Sequence, residues 1–142
     1  MKLISHRGNL FGPNSETENN PDHIQDVLKK HDVEVDVWLS SNNEIFLGHD
    51  YPQYIISTNF LQHKGLWCHA KNLNALYYLM NANIKCFFHN VDDYTLTSNG
   101  YIWTYPGYEV TDKSIIVNLN EGWQNTNYNC YGVCVDYIYN NN

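Results

Sequence analysis

The sequence predicts an α/β protein, a mostly parallel sheet closed into a compact, reduced TIM-type (β/α) barrel with several outer helices missing. Three observations favour this fold class. Eight short apolar segments read as strands along 142 residues, segments with helical spacing follow some of them, and reactive side chains stand where strands end. A complete (β/α)8 barrel usually has about 250 residues, so loops must replace several helices here. An open α/β sheet of fewer strands is the alternative.

The predicted strands are short apolar runs that end at turn-forming residues. The run over residues 3–6 stops at Gly8, as a buried strand entering a loop does, and the segment 33–39 alternates strictly between apolar and polar residues. In chain order, the eight predicted strands cover residues 3–6, 33–39, 45–48, 66–70, 84–88, 101–104, 114–117 and 132–136.

Two segments between these strands carry apolar residues at helical spacing. The first covers residues 21–31; it begins at Pro21, which suits the first turn of a helix, and it ends in basic residues. The second covers residues 73–80. Residues 9–20 are rich in Asn and Ser and contain Gly and Pro, which is typical of a loop. No repeat or linker divides the chain, so residues 1–142 are predicted to form a single domain.

Composition limits the classes of partner. Lys and Arg number 8 against 15 Asp and Glu, a formal charge of −7, whereas binding of a phosphate backbone needs a basic surface. Nucleic acid is therefore excluded as the main partner. No apolar run is long enough to span a bilayer, and the N-terminal segment turns polar too early for a signal peptide, so we expect a cytoplasmic protein. The four cysteines form no CxxC pair and are expected to be reduced thiols rather than zinc ligands.

Reactive side chains are concentrated at the predicted strand ends, which is where sites form in parallel α/β folds. Residues two apart on a strand share a face, so Glu34 and Asp36 project together. Two carboxylates on one buried face repel each other unless a cation lies between them, and their oxygens favour Mg²⁺, Ca²⁺ or Mn²⁺. The polar candidates are Glu34 and Asp36, which lie within the second strand, and, at the strand ends, His6, Arg7, His49, Asp50, His69, Lys71 and His89.

These residue types together are the groups that phosphoryl transfer uses. His6 and His49 can supply an acid and a base near neutral pH. Arg7, the only arginine in the chain, and Lys71 can hold an anion. Trp103, which lies in the sixth predicted strand, either lines the pocket and stacks on a substrate or only packs the barrel. Acid, base, cation and metal thus predict a phosphate ester as the substrate.

Four motifs in the first half of the chain resemble those of the glycerophosphodiester phosphodiesterase family, in that family's order and spacing. They are His6-Arg7-Gly8, Glu18-Asn19-Asn20-Pro21, Glu34-Val35-Asp36-Val37-Trp38 and Gly48-His49-Asp50. The resemblance implies a TIM barrel of the phospholipase C-like phosphodiesterase group, in an unusually short form. It also implies roles by position. His6 and His49 are expected to be the acid–base pair. Arg7 and Lys71 are expected to bind the phosphate. The residues expected at the metal site are Glu34, Asp36 and Glu18.

The main departure from the family is His69, which stands where the family has a metal-binding glutamate. A histidine still binds a divalent ion through a ring nitrogen, but it brings no negative charge. We therefore expect weaker binding of Mg²⁺ or Ca²⁺, a shift towards Mn²⁺ or Zn²⁺, or a site organised by the protein alone.

The resemblance implies a metal-assisted phosphodiesterase of lipid metabolism that hydrolyses small glycerophosphodiesters by acid–base catalysis with two histidines. A module that binds a phosphate or a phospholipid head group without cleaving it is the alternative. A purely structural or interaction protein has little support beyond the aromatic content. A homodimer stays open, since a second copy would cover the edges of an incomplete barrel.

Overall fold

The computed structural model describes residues 1–140, whose backbone forms one mixed sheet of ten strands together with two short helices. The strands, in chain order, are β1 (Lys2–His6), β2 (Asp32–Leu39), β3 (Ile45–Leu47), β4 (Tyr54–Ile56), β5 (Leu66–Ala70), β6 (Cys86–Phe87), β7 (Tyr94–Leu96), β8 (Ile102–Thr104), β9 (Ser114–Val117) and β10 (Gly132–Val135). The helices are α1 (Pro21–Val27) and α2 (Leu73–Asn81), and short 3₁₀ helices cover Phe60–Gln62 and Trp123–Asn125.

Seven of the strands are joined by parallel ladders in the order β6-β5-β2-β1-β10-β9-β8. The remaining strands are antiparallel: β3 pairs with β2, β4 with β3, and β7 with β8. Parallel neighbours end at the same edge of a sheet. The end of β1 lies beside the first half of β2, where His6 is paired with Glu34, and further along β2 Asp36 is paired with His69 near the end of β5.

The prediction of a reduced TIM-type barrel is wrong. Within residues 1–140 no ladder joins β6 to β8, so hydrogen bonds do not close the sheet. Strand β6 has only two residues, and it meets β8 through stacked rings of Phe87 and Trp103, whose centroids are 4.4 Å apart. The connection from β8 to β9 is coil, and the connection from β9 to β10 is coil with one 3₁₀ helix. The chain is too short for an α-helix after every strand. The alternative prediction, an open α/β sheet of fewer strands, is also wrong in its strand number, because the described residues form ten strands.

Two strands of the structure, β4 and β7, have no counterpart among the predicted strands. Each has three residues, and each pairs with one neighbour through an antiparallel ladder. Ile55 in β4 and Leu96 in β7 are exposed. An outer strand of this kind lacks the buried apolar face that makes a strand visible in sequence, and its pairing comes from the neighbouring strand.

The valine side of β2 forms the layer between the sheet and the helices. Val33, Val35 and Val37 are buried in a cluster that includes residues of both helices. The Asn20 side chain caps α1 by accepting from the backbone N–H groups of Asp22 and His23. Helix α1 is shorter than the predicted 21–31, because turns replace its last residues. The helices thus cover one side of β2 and leave its carboxylates on the other.

The opposite side of the sheet encloses a second, largely aromatic cluster. Its buried members are Ile4, Trp67, Phe87, Trp103, Ile115 and Cys134. All four cysteines are free thiols. No helix in the described part of the chain has the length and apolar character needed to cross a membrane.

Candidate functional site

The carboxyl ends of the central strands open into a cavity of about 470 Å³, a size that suits a small organic ligand. Most of the predicted site residues line it, although they come from distant parts of the chain. They are His6, Arg7, Glu34, His49, His69, Lys71, His89 and Trp103. The structure therefore places the two predicted acid–base histidines on the same cavity.

The other three predicted site residues lie outside the cavity lining. Asp36 is buried, with its side chain 1% exposed, and its Oδ2 lies 3.3 Å from Nε of Arg7. Glu18 is half-buried behind Arg7, with 3.5 Å between its Oε2 and the arginine Nη1. Asp50 is exposed, and its Oδ1 lies 2.8 Å from Nδ1 of His49. Each of these carboxylates thus contacts the side chain of a residue that lines the cavity.

His6 is held by a residue that the sequence analysis missed. Its Nδ1 lies 2.7 Å from Oδ1 of the buried Asp136, and a carboxylate only accepts, so Nδ1 donates. Asn9 Nδ2 donates to the same oxygen at 2.8 Å and to Glu18 Oε1 at 2.8 Å. Burial by itself lowers the pKa of His6, but the hydrogen bond to Asp136 and the charge of Glu34 outweigh it, so the pKa is raised. Asp136 directly follows β10, so the strand-end pattern pointed to it as well.

A cluster of two carboxylates and one imidazole forms the floor of the site. Glu34, Asp36 and His69 each offer one ligand atom, and these atoms lie within 4.8 Å of one another. Pairing of β2 with β5 sets this arrangement, because Asp36 and His69 are opposite each other in the ladder. Asn19 also holds Asp36: its Nδ2 donates to Oδ2 and its Oδ1 accepts from the Asp36 N–H, both at 2.9 Å. Carboxylate oxygens and an imidazole nitrogen are atoms that can act as metal ligands.

The two carboxylates of this cluster differ in how readily they ionise. Burial raises the pKa of Glu34, and the neighbouring Asp36 carboxylate raises it further. Burial alone would also raise the pKa of Asp36, but the His69 ring, the Arg7 guanidinium and the Asn19 amide bring it down to about 2. Asp36 is therefore the ionised member of the pair, and Glu34 retains its proton more readily.

Three buried polar atoms of the site have no hydrogen-bond partner among the described residues. They are Arg7 Nε, Glu34 Oε2 and Asp36 Oδ1. Buried polar atoms in folded proteins nearly always have partners, and leaving one without costs about 1–3 kcal/mol. Unpartnered oxygens on two neighbouring carboxylates fit a bound cation. The residues present are therefore compatible with a divalent ion held by Glu34, Asp36 and His69.

Two fixed cations stand next to Asp36 at the cavity. Lys71 Nζ lies 3.8 Å from Asp36 Oδ1, and Arg7, which also lines the cavity, has its Nε 3.3 Å from Oδ2 of the same carboxylate. Arg7 has a left-handed backbone, with φ of 55°, which a residue other than glycine adopts only where its surroundings impose it. Its N–H donates to the Glu34 carbonyl and its carbonyl accepts from the Asn19 N–H. These hydrogen bonds hold the Arg7 main chain, and the contacts with Asp36 and Glu18 place its guanidinium.

His49 reaches the cavity from the loop after β3. Trp38 Nε1 donates to the Gly48 carbonyl at 2.6 Å, and the Gly48 N–H donates to the Asp36 carbonyl at 3.2 Å. His49 Nδ1 donates to Asp50, so the lone pair of the neutral ring is on Nε2. In both histidines of the predicted acid–base pair, Nδ1 therefore donates a hydrogen bond to a carboxylate.

The remaining wall of the cavity is apolar and aromatic. Trp103 stacks on Phe87, and Phe87 stacks on the His69 ring with centroids 5.0 Å apart. Tyr105 borders the same wall, with its ring centroid 6.3 Å from that of His89. Phe87 was missed as a site residue, although it belongs to the predicted strand 84–88. Its apolar side chain carries no chemical signal, so only the fold shows it at the cavity.

No family model, curated protein or solved structure matches this chain. The resemblance of the four motifs to the glycerophosphodiester phosphodiesterase family therefore stays a prediction. Assignment of a function depends on the site geometry.

Proposed function

We propose that this protein is a metal-assisted phosphodiesterase that hydrolyses glycerophosphodiester-type substrates. The observation that carries the proposal is a cavity lined by two histidines and two fixed cations, next to a carboxylate–imidazole cluster with unpartnered oxygens, two of whose three members also line it. Cleavage of a P–O ester bond uses each of these: a proton acceptor, a proton donor and positive charge near the phosphate.

Charge balance supports a divalent ion in this site. In the state that would hold an ion, with all four carboxylates ionised and the histidines neutral, the connected polar groups have two fixed cations, which leaves two negative charges. The carboxylates are those of Glu18, Glu34, Asp36 and Asp136, and the cations are Arg7 and Lys71. An ion held by Glu34, Asp36 and His69 would supply positive charge next to a bound phosphate and relieve the repulsion between the carboxylates.

The protein's own residues provide binding and proton transfer. Arg7 and Lys71 hold the phosphate oxygens through charge-assisted hydrogen bonds. His6 and His49 exchange protons through Nε2, since Nδ1 of each ring is engaged by a carboxylate. One histidine takes the proton of the attacking oxygen, and the other protonates the alcohol that leaves as the P–O bond breaks. Where the substrate has a hydroxyl next to the ester, that hydroxyl attacks first and a cyclic phosphate forms.

A turnover assay tests this proposal directly. The full chain is assayed on bis(p-nitrophenyl) phosphate and on glycerophosphodiesters with Mg²⁺, Ca²⁺, Mn²⁺ and Zn²⁺ in turn. We expect His6→Ala and His49→Ala each to lower kcat by about 10²–10⁴-fold, because each removes a proton-transfer group. His63→Ala, at an exposed histidine outside the cavity lining, is the matched control. Near-normal turnover in either cavity variant would contradict the proposed roles.

A phosphate or head-group binding module is the second candidate. The exposure of His49 favours it, because the side chain is 42% exposed and its partner Asp50 is 84% exposed, so the ring is poorly shielded from water. Binding of glycerol phosphate without turnover under any metal would support this candidate. The cytoplasmic location, the exclusion of nucleic acid and the homodimer stay predictions from the sequence.

A further inference from the structure

The tautomer of His69 is set by a backbone carbonyl. His69 Nε2 lies 3.1 Å from the carbonyl oxygen of His89, and a carbonyl oxygen only accepts, so Nε2 carries the proton. In the neutral ring Nδ1 then has a lone pair. Nδ1 lies 3.2 Å from Asp36 Oδ1 and 3.8 Å from Glu34 Oε1. Three electron-rich atoms that face one another at these distances need positive charge between them, either a second ring proton on Nδ1 or a bound cation.

The orientation of this lone pair is also fixed. The His69 ring stacks on Phe87 with an interplanar angle of 12°, and its side chain is 15% exposed. Asp36 Oδ1, which faces Nδ1, is buried and has no hydrogen-bond partner among the described residues. The donor atoms are therefore held in place by packing and by the β2–β5 ladder before any ion binds.

We infer that Glu34, Asp36 and His69 form a mixed nitrogen–oxygen metal site that selects a first-row transition ion such as Mn²⁺ or Zn²⁺ over Mg²⁺ and Ca²⁺. The inference rests on the proposed function and names the ion of that same site. Mg²⁺ and Ca²⁺ bind oxygen ligands, whereas an imidazole nitrogen suits first-row transition ions. The Nε2–H bond to the His89 carbonyl is the second-sphere contact that orients a histidine ligand and raises its basicity.

A site neutralised by the protein alone is the competing arrangement. It would need a second proton on His69, with the ring, Arg7 and Lys71 together balancing the carboxylates. Arg7 Nε lies 3.3 Å from Asp36 Oδ2, and Lys71 Nζ lies 3.8 Å from Asp36 Oδ1. The buried Glu34 Oε2 has no hydrogen-bond partner among the described residues, and His6 Nε2, at 3.9 Å, is beyond hydrogen-bond distance, which favours an ion.

Calorimetric titration of the metal-stripped full chain tests the selectivity. We expect Mn²⁺ and Zn²⁺ to bind at least about tenfold more tightly than Mg²⁺ and Ca²⁺. His69→Glu, which makes the donor set all oxygen, should lower the ratio of Zn²⁺ to Mg²⁺ affinity by about tenfold or more. His63→Gln removes an exposed histidine outside the cavity and should leave the ratio unchanged.

Pulsed EPR of the Mn²⁺-loaded protein shows whether the ring nitrogen binds the ion. A directly bound imidazole gives a ¹⁴N coupling, which we expect in the wild type and in His63→Gln but not in His69→Gln. Equal affinity for Mg²⁺ and Mn²⁺, a ¹⁴N signal that survives His69→Gln, or no binding of any ion would each overturn the inference. A bound ion with the ¹⁴N coupling but no turnover would contradict the proposed phosphodiesterase and leave this metal site standing.

Discussion

Replacing Asp136 with asparagine measures how much the buried carboxylate contributes to the proton affinity of His6. Asp136 Oδ1 accepts from His6 Nδ1 at 2.7 Å and from Asn9 Nδ2 at 2.8 Å. An asparagine keeps an oxygen at that position, so both hydrogen bonds can persist while the negative charge is lost. The substitution therefore separates charge from geometry.

The expected magnitude follows from the strength of this bond. A hydrogen bond between a charged pair is about twice as strong as a neutral one, so the change costs the protonated ring about 1 kcal/mol. Because a pKa shift is the difference in interaction energy between the two protonation states, the pKa of His6 should fall in Asp136→Asn. The direction is set by the native state, where burial lowers the pKa of His6 but Asp136 and Glu34 raise it above its ordinary value.

An NMR titration of the His6 ring protons gives this pKa directly, and the pH profile of kcat/KM gives it through activity. The limb that belongs to His6 should move to lower pH in Asp136→Asn. Asp26→Asn, at an exposed carboxylate paired with Lys29, is the control that changes net charge equally. An unchanged or higher His6 pKa in Asp136→Asn would refute the argument that Asp136 stabilises the protonated ring.

Two further predictions concern the His49 loop and the metal-free protein. A Cβ on Gly48 would collide with the Tyr51 carbonyl, so Gly48→Ala should displace His49. The free energy of unfolding, measured by urea denaturation, should fall by about 1–3 kcal/mol. A variant with the stability and kcat of the wild type would contradict this prediction. In EDTA, stability should fall as the pH rises above 4.5 and again above 6.5, the ordinary values of Glu34 and His6. The reason is that both folded pKa values are raised, so the unfolded chain releases these protons first. Added Mn²⁺ should remove the loss of stability that Glu34 causes. A Tm in EDTA that rises with pH over this range would contradict the raised pKa values of Glu34 and His6.

Local patterns in the sequence identify most of the parallel strands and both helices. The alternating segment 33–39 is β2 apart from one added residue, because its valines are buried under the helices and its carboxylates face the other side. The convergence of the site residues was also predictable, since parallel strands end at a common edge. Glu34, Asp36 and His69 meet for this reason.

The register and closure of the sheet were not predictable, because they depend on which distant segments pair. The two-residue β6 ends before it can form a ladder with β8, so the barrel suggested by the strand count does not close. Strands β4 and β7 exist because a neighbour offers unpaired backbone groups, and this leaves no pattern in their own residues.

The sequence alone determined the predicted polar groups of the site, though not Asp136 or Phe87, since strand ends and residue types are local properties of the chain. Only the tertiary structure decided the state of those groups. His6 donates to Asp136, a residue 130 positions away, and the His89 carbonyl sets the tautomer of His69. Proton affinity and the direction of a lone pair depend on neighbours in space, because hydrogen bonds need partners within about 3 Å and Coulomb energies weaken with distance.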